Sequence, residues 1–286
     1  MTIIVPVYND AINLLNCINA LKNQTYPKNF LEIIVIDNGS TSDLKNIIHD
    51  DEIKLLYELT VQSSYAARNK GLLNSSGDII AFTDSDCTPC VKWIEEGVKE
   101  LQSQKADMLS GNVRFKISEP PTGAELWDAI TNMQIADNIK QRNVSKTANL
   151  FVNRYVFDSV GLFPQTLRSG GDVIWTGMAT SAGFKLVYHA NAEIEHPARK
   201  LKALLKKQFR VGLGQAAILQ SLNARKRMKQ IALRILPLRL RSIQRMLDNK
   251  RIKVSSILLL RVWLAAHLCR FITVSGNIFG LFSRKY

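Results

Sequence analysis

Four short apolar runs constrain this chain more than anything else in it: TIIVPV at 2–7, EIIVI at 32–36, IKLLY at 53–57 and DIIAFT at 78–83. They are rich in β-branched residues and apolar on both faces, the pattern of strands in a parallel sheet covered by helices. Helical spacing fills the gaps, at 11–23 through Leu14, Leu15, Ile18 and Leu21, at 41–48 behind a Ser-Thr-Ser cap region, and at 64–74. Strand alternating with helix predicts an α/β layered domain, with its ligand in the crevice at the carboxyl ends of the strands. Further on, 107–117 reads as another strand and 123–141 as one helix with Leu126, Trp127, Ile130 and Met133 on one side. Residues 173–181 read as a helix followed by two short strands.

Polar residues crowd the strand ends. Tyr8, Asn9 and Asp10 follow the first, Asp37-Asn38-Gly39-Ser40 the second, and Asp84-Ser85-Asp86 the fourth, so three acidic loops face one rim. No G-x-G-x-x-G follows the first strand and no G-x-x-x-x-G-K-[ST] occurs, so neither a Rossmann dinucleotide site nor a P-loop is supported. Two carboxylates at i and i+2 on a turning strand end suit a hard divalent cation that keeps positions open for phosphate oxygens. Cys87 and Cys90 compete for the same loop, but one C-x₂-C is half a structural zinc site and nothing supplies a second pair. They read as small, half-buried residues opening the next helix. Four cysteines in 286 residues make no disulfide framework, in keeping with a reducing compartment.

Taken together, IIVPVYND at 3–10, IDNGSTSD at 36–43, AARNKG at 66–71 and FTDSDCTP at 82–89 resemble the nucleotide-sugar-binding half of family 2 glycosyltransferases of the GT-A fold. TANLFVNRYVFDSVGLFP at 147–164, GGD at 170–172 and EIEHP at 193–197 resemble the acceptor half. The resemblance implies a Rossmann-like layered mixed sheet flanked by helices. It implies an inverting, metal-dependent transfer of one sugar from a nucleoside diphosphate sugar, UDP-linked, to a hydroxyl of a glycan or lipid-linked acceptor. Pro6, Tyr8 and Asn9 would frame the base, although Tyr8 could equally be a wall of the core. Asp37 would face the base or ribose, and Arg68 a ribose or phosphate oxygen, unless it is a solvated surface arginine. Asp84 would lie near the ribose or the metal, and Ser85 would contact the nucleotide sugar. Asp86 would ligate Mg²⁺ or Mn²⁺, with His196 closing over it unless that histidine is only packing. Asp172 would be the base, though an aspartate at a helix start can also cap it. Gly171 stands where the family has Glu, and Met178 where it often has Arg. The glutamine-arginine-tryptophan signature of processive synthases is missing, so a single transfer is expected.

Charge divides the chain. Residues 1–196 carry 17 Lys and Arg against 23 Asp and Glu, whereas residues 197–286 carry 21 against the single Asp248. The expected division is a glycosyltransferase domain at 1–197, with a donor half at 1–115 and an acceptor half at 116–197, then a basic helical extension at 198–286 broken at Pro237. Within the extension, 254–282 is apolar but interrupted by Arg261, His267 and Arg270 on different helical faces. A basic, apolar segment suits the surface of an anionic membrane. TIIVPVY follows Met1 with no signal-peptide pattern, so the expected place is the cytosolic face of a membrane. The bland alternative is a helical packing element or dimer contact.

Two other readings make distinct demands. A sugar nucleotidyltransferase would want a basic, Gly-rich phosphate loop after the first strand, where YNDAIN is acidic and lacks Gly. A nucleic-acid-binding tail would bind with steep salt dependence and no preference for vesicles; no nucleic acid partner is expected.

Overall fold

The computed structural model describes residues 1–48, 52–167, 169–220 and 224–282. Residues 221–223 and 283–286 of the expected basic extension lie outside the described residues. The chain divides into two compact units, Met1–Arg114 with Gln134–His196, and Phe115–Met133 with Pro197–Tyr286.

The elements run β1 (Thr2–Val7), α1 (Ala11–Lys22), β2 (Glu32–Asp37), β3 (Ile53–Tyr57), α2 (Ser64–Leu73), β4 (Ile79–Thr83), β5 (Thr88–Pro89), α3 (Trp93–Ser103) and β6 (Met108–Lys116). They continue with α4 (Gly123–Thr131), α5 (Ile135–Arg142), β7 (Asn149–Asn153), α6 (Arg154–Val160), α7 (Gly171–Ser181) and β8 (Leu186–Pro197). Four helices follow, α8 (Leu201–Gln220), α9 (Ala224–Ile235), α10 (Leu240–Asn249) and α11 (Ser256–Phe282).

One mixed sheet has the order β3-β2-β1-β4-β7-β6-β8-β5. The four apolar runs form its parallel part, β1 pairing with β2 and β4, and β2 with β3. All six residues of β1 are buried, and β2 and β4 are buried almost throughout, as expected, but β3 lies at the sheet edge with only Ile53 buried and Lys54 and Tyr57 exposed. β7 runs antiparallel to β4 and β6, and β5 antiparallel to β8. The first unit's core joins Ile4, Ile34 and Phe82 from the sheet to Phe157, Phe163 and Trp175. Gly111 in β6 admits the crossing of β8, since a Cβ there would lie 1.7 Å from the Ala192 carbonyl oxygen.

Four expectations about elements change. Residues 41–48 hold only a 3₁₀ turn at Leu44–Asn46, where the Asp43 carboxylate accepts from the Lys45 N–H and the Asn46 amide and satisfies the backbone locally. The single helix over 123–141 is two, broken at Met133, whose φ of 48° lies in the left-handed region. The two short strands after α7 are one, β8. Cys87 and Cys90 flank β5 rather than open α3; all four cysteines are free thiols.

In the second unit, Leu126, Trp127 and Ile130 of α4 pack with Leu204, Val262 and Ala266. A capping box starts α4: Thr122 Oγ1 accepts from the Glu125 N–H at 3.3 Å, and Glu125 Oε2 accepts from the Thr122 N–H at 3.0 Å and from Ser118 Oγ at 2.8 Å. α11 is long and apolar enough to cross a membrane by length and composition. Its Leu260, Leu264, Leu268, Phe271, Ile278 and Phe282 are exposed at helical spacing, as is Arg261. The other two interrupting residues turn inward. His267 Nδ1 donates to the Trp263 carbonyl at 2.7 Å, and Nε2 accepts from the Leu238 N–H at 3.1 Å, which fixes the neutral tautomer. Arg270 donates to the carbonyls of Leu233 and Arg234, both at 2.7 Å, capping the C-terminal end of α9 just before Pro237.

Candidate active site

The loops after β1 and β2 clasp each other. Asn9 N donates to Ser40 Oγ at 2.9 Å, and Asn9 Oδ1 accepts from the N–H and hydroxyl of Thr41 at 2.8 and 3.0 Å. Ser40 N donates to Asp37 Oδ1 at 2.9 Å. Asp37 and Pro6 are buried, while Tyr8 is 52% exposed and is therefore no wall of the core.

Arg68 is not a surface arginine. It is buried on α2, donates from Nη2 to Asp84 Oδ1 and from Nη1 to the Ser64 carbonyl at 3.2 Å. Its charge thus holds the first carboxylate of Asp84-Ser85-Asp86, on the turn that follows β4. Ser85 is buried, and Asp84 and Asp86 are half-buried. The register of β5 on β8, Thr88 opposite Glu195, brings the next residue of β8 to this loop. His196, fully buried, has Nε2 3.4 Å from Asp86 Oδ2. Asp10, from the loop after β1, has its carboxyl raised by burial and then by the Asp86 charge, against a hydrogen bond from Asn13.

Asp86, Cys87 and His196 offer ligand atoms within 4.8 Å of one another. Cys87 is a poor third donor: burial, then the charges of Asp84 and Asp86, push its thiol well up and keep it protonated. A half-buried carboxylate on the turn after β4 and a buried imidazole on β8 fit a divalent ion of the Mg²⁺ or Mn²⁺ class that keeps other positions for substrate oxygens.

Asp172 stands in the first turn of α7, after Gly170 in the left-handed conformation (φ 83°) as the N-cap. Its Oδ1 accepts from the Val173 N–H at 2.9 Å and from Tyr65 Oη at 3.0 Å. Gly171 is pressed on the same ring: a Cβ there would lie 2.8 Å from it. The glutamate expected at 171 has no room while Tyr65 is present.

Every proposed site residue lies in the first unit. The structure joins Arg68 with Asp84, Asp86 with His196, and Asn9 with Asp37 through the 40–41 turn. Sequence reasoning missed Tyr65, whose partner is 107 positions away, and left Asp10 out of the site although it shares the acidic rim. A tyrosine at the start of a helix carries no motif; the signal for Asp10 was its place after β1.

A family model for "Glycosyl transferase family 2" matches residues 2–158. Glycosyltransferase AglE of Haloferax volcanii is 47% identical over 223 residues, 76% of this chain and 73% of that protein. A pre-mycofactocin glycosyltransferase of Mycobacterium tuberculosis is 26% identical over 70% of this chain and 43% of its own length. Among solved structures, the mannosyltransferase PcManGT from Pyrobaculum calidifontis, in complex with GDP-Man and Mn²⁺, matches with a TM-score of 0.67 at 18% identity, over 99% of this chain and 87% of that one. S. aureus TarS 1–349 in complex with UDP-GlcNAc matches at 0.55 and 14%, over 98% and 90%. With its mixed α/β sheet of the GT-A fold and nearly half of its residues shared with AglE across the aligned region, the chain belongs to glycosyl transferase family 2.

Proposed function

We propose that the protein moves a single sugar, with inversion, from a nucleoside diphosphate sugar, UDP-linked, to a hydroxyl acceptor, using Mg²⁺ or Mn²⁺. The observation that carries this reading is the arrangement of Asp86 with His196 and of Arg68 with Asp84 on one turn at the carboxyl end of the parallel sheet. Asp86 and His196 would hold the ion. When bound, it supplies positive charge against the departing diphosphate. Arg68 keeps Asp84 turned towards the ribose side of the loop. Pro6, Tyr8, Asn9 and Asp37 line the place for the base, and the Asn9 clasp on Thr41 holds that wall closed. Asp172 accepts the proton of the acceptor hydroxyl as it attacks; no second carboxylate is assigned as a nucleophile, which favours a single displacement.

PcManGT binds GDP-Man and TarS binds UDP-GlcNAc, so the deciding experiment is a panel of UDP-, GDP- and dTDP-sugars assayed for metal-dependent release of nucleoside diphosphate. Release from one sugar nucleotide that stops with EDTA supports the reading. Absence of release from every donor, with Mg²⁺ and with Mn²⁺, removes it.

The division into a transfer domain at 1–197 and a basic extension at 198–286 remains our proposal, and the extension is read as the part that meets an anionic membrane surface on its cytosolic side. With His267 and Arg270 used internally, Arg261 is the one charge among the exposed apolar residues of α11, and Arg241, Arg245, Lys250 and Arg251 are exposed nearby in sequence. That face favours lying on a leaflet, which suits a lipid-linked or cell-surface glycan acceptor.

A further inference from the structure

We propose that Tyr65 is a positioning residue for Asp172: its phenol holds one carboxylate oxygen so that the other is presented to the acceptor hydroxyl. The inference rests on Asp172 acting as the base.

The geometry is specific to one oxygen. Tyr65 Oη and the Val173 N–H both donate to Asp172 Oδ1, at 3.0 and 2.9 Å, and among the described residues no donor reaches Oδ2. A base works through a lone pair that is not already committed, so Oδ2 is the atom left to take the proton. Asp172 also needs an anchor from outside its own helix, because it stands in the first turn of α7 immediately after a loop. Tyr65 supplies one from α2, a helix packed on the parallel strands.

The tyrosine is itself fixed. Its ring is buried, lies 6.2 Å from the Phe163 ring, has the Arg68 guanidinium 5.9 Å from its centroid, and leaves Gly171 no space for a side chain. Its backbone N–H is capped by Ser63 Oγ at 3.3 Å, and Ser63 Oγ donates to the Leu167 carbonyl at 3.0 Å, which ties the start of α2 to the loop before α7. Burial, and then the Asp172 charge, push the phenol far above the ordinary tyrosine range, so it remains a proton donor across the working pH. Through Arg68 the same ring touches the group that holds Asp84. One side chain therefore adjoins both the proposed base and the residue that orders the donor loop.

Tyr65→Phe removes one oxygen and keeps the ring, so folding and packing are preserved. It is tested in the full chain with Mn²⁺, the donor the panel identifies, and water as acceptor. The expected result is a fall in kcat of about tenfold with donor KM and nucleoside diphosphate Kd within about twofold of wild type. Unchanged kcat overturns the proposal. So does a fall in kcat accompanied by loss of nucleotide binding, since packing alone would account for it. Asp172→Asn separates the two ideas. If it turns over at the wild-type rate, the base reading and this inference both fall; if it is inactive while Tyr65→Phe is normal, only this inference falls.

Discussion

Arg68 and Asp84 form an ion pair between α2 and the turn after β4, with the guanidinium buried and the carboxylate 29% exposed. Removing the arginine would strand a half-buried carboxylate, whereas removing the carboxylate would strand a buried cation. Arg68→Ala should therefore cost ~2–3 kcal/mol, below the full value of a broken buried pair because Asp84 keeps some water. Thermal unfolding of the two variants checks this, and Asp84→Asn should lower stability by at least as much. Equal melting temperatures for wild type and both variants would remove the pair from any structural role.

Asp86 and His196 are assigned to one ion from one distance, so they should fail together. Asp86→Asn and His196→Ala should each weaken Mn²⁺-dependent nucleoside diphosphate binding, read by titration calorimetry, and lower donor turnover about 10²-fold. The double variant should be little worse than either single one, as expected for two ligands of one site. Additive losses would mean that they act separately.

For Asp172 the split runs the other way. Asp172→Asn should lower turnover about 10²–10⁴-fold while nucleoside diphosphate still binds with metal, because the amide keeps the shape but cannot take a proton. Calorimetry and single-turnover kinetics on the same preparation give both halves of the answer.

Acid should loosen the start of α4. Burial disfavours the Glu125 carboxylate, but hydrogen bonds from Thr122 and Ser118 outweigh it and hold the carboxyl below the ordinary glutamate range. A group whose folded value is depressed stabilises fully above its unfolded value and loses that contribution as pH falls through the folded one. Thr122→Ala should thus cost ~1 kcal/mol at neutral pH and progressively less as the solution becomes more acidic, measured as the difference in urea midpoint across pH.

The exposed face of α11 is tested with Leu264→Glu combined with Phe271→Glu. Both side chains already face solvent, so the fold should tolerate the change. Each lost apolar insertion forfeits ~1.5–3 kcal/mol at a membrane. Flotation with phosphatidylglycerol vesicles should show wild type bound at low salt and the variant free. Equal flotation would return α11 to a packing or dimer role.

The parallel strands were legible because β-branched, apolar composition marks them as strands; β1 and β2 are buried almost throughout, whereas β3, at the sheet edge, buries only Ile53 and exposes Lys54 and Tyr57. The single helix read over 123–141 failed for a reason invisible in periodicity: Met133 fits the apolar stripe while its backbone leaves the helix. β8 was read as two pieces because its middle, Tyr188 to Asn191, includes exposed positions that mimic a turn. Site residues at strand ends could be named because topology gathers them there. Arg68 could be named but not placed, since nothing in AARNKG says that its charge turns inward to Asp84. Tyr65 could not be named at all, because its importance comes from a residue in another part of the chain.

The contact between Gly171 and the Tyr65 ring also limits how this sequence can change. Even alanine at 171 requires the ring at 65 to yield, and shrinking 65 first leaves a void beside Asp172. Neither single step is neutral. The two positions should therefore vary as a pair among descendants of this chain, and a variant library that samples them one at a time should find both sites intolerant while missing the combinations that work.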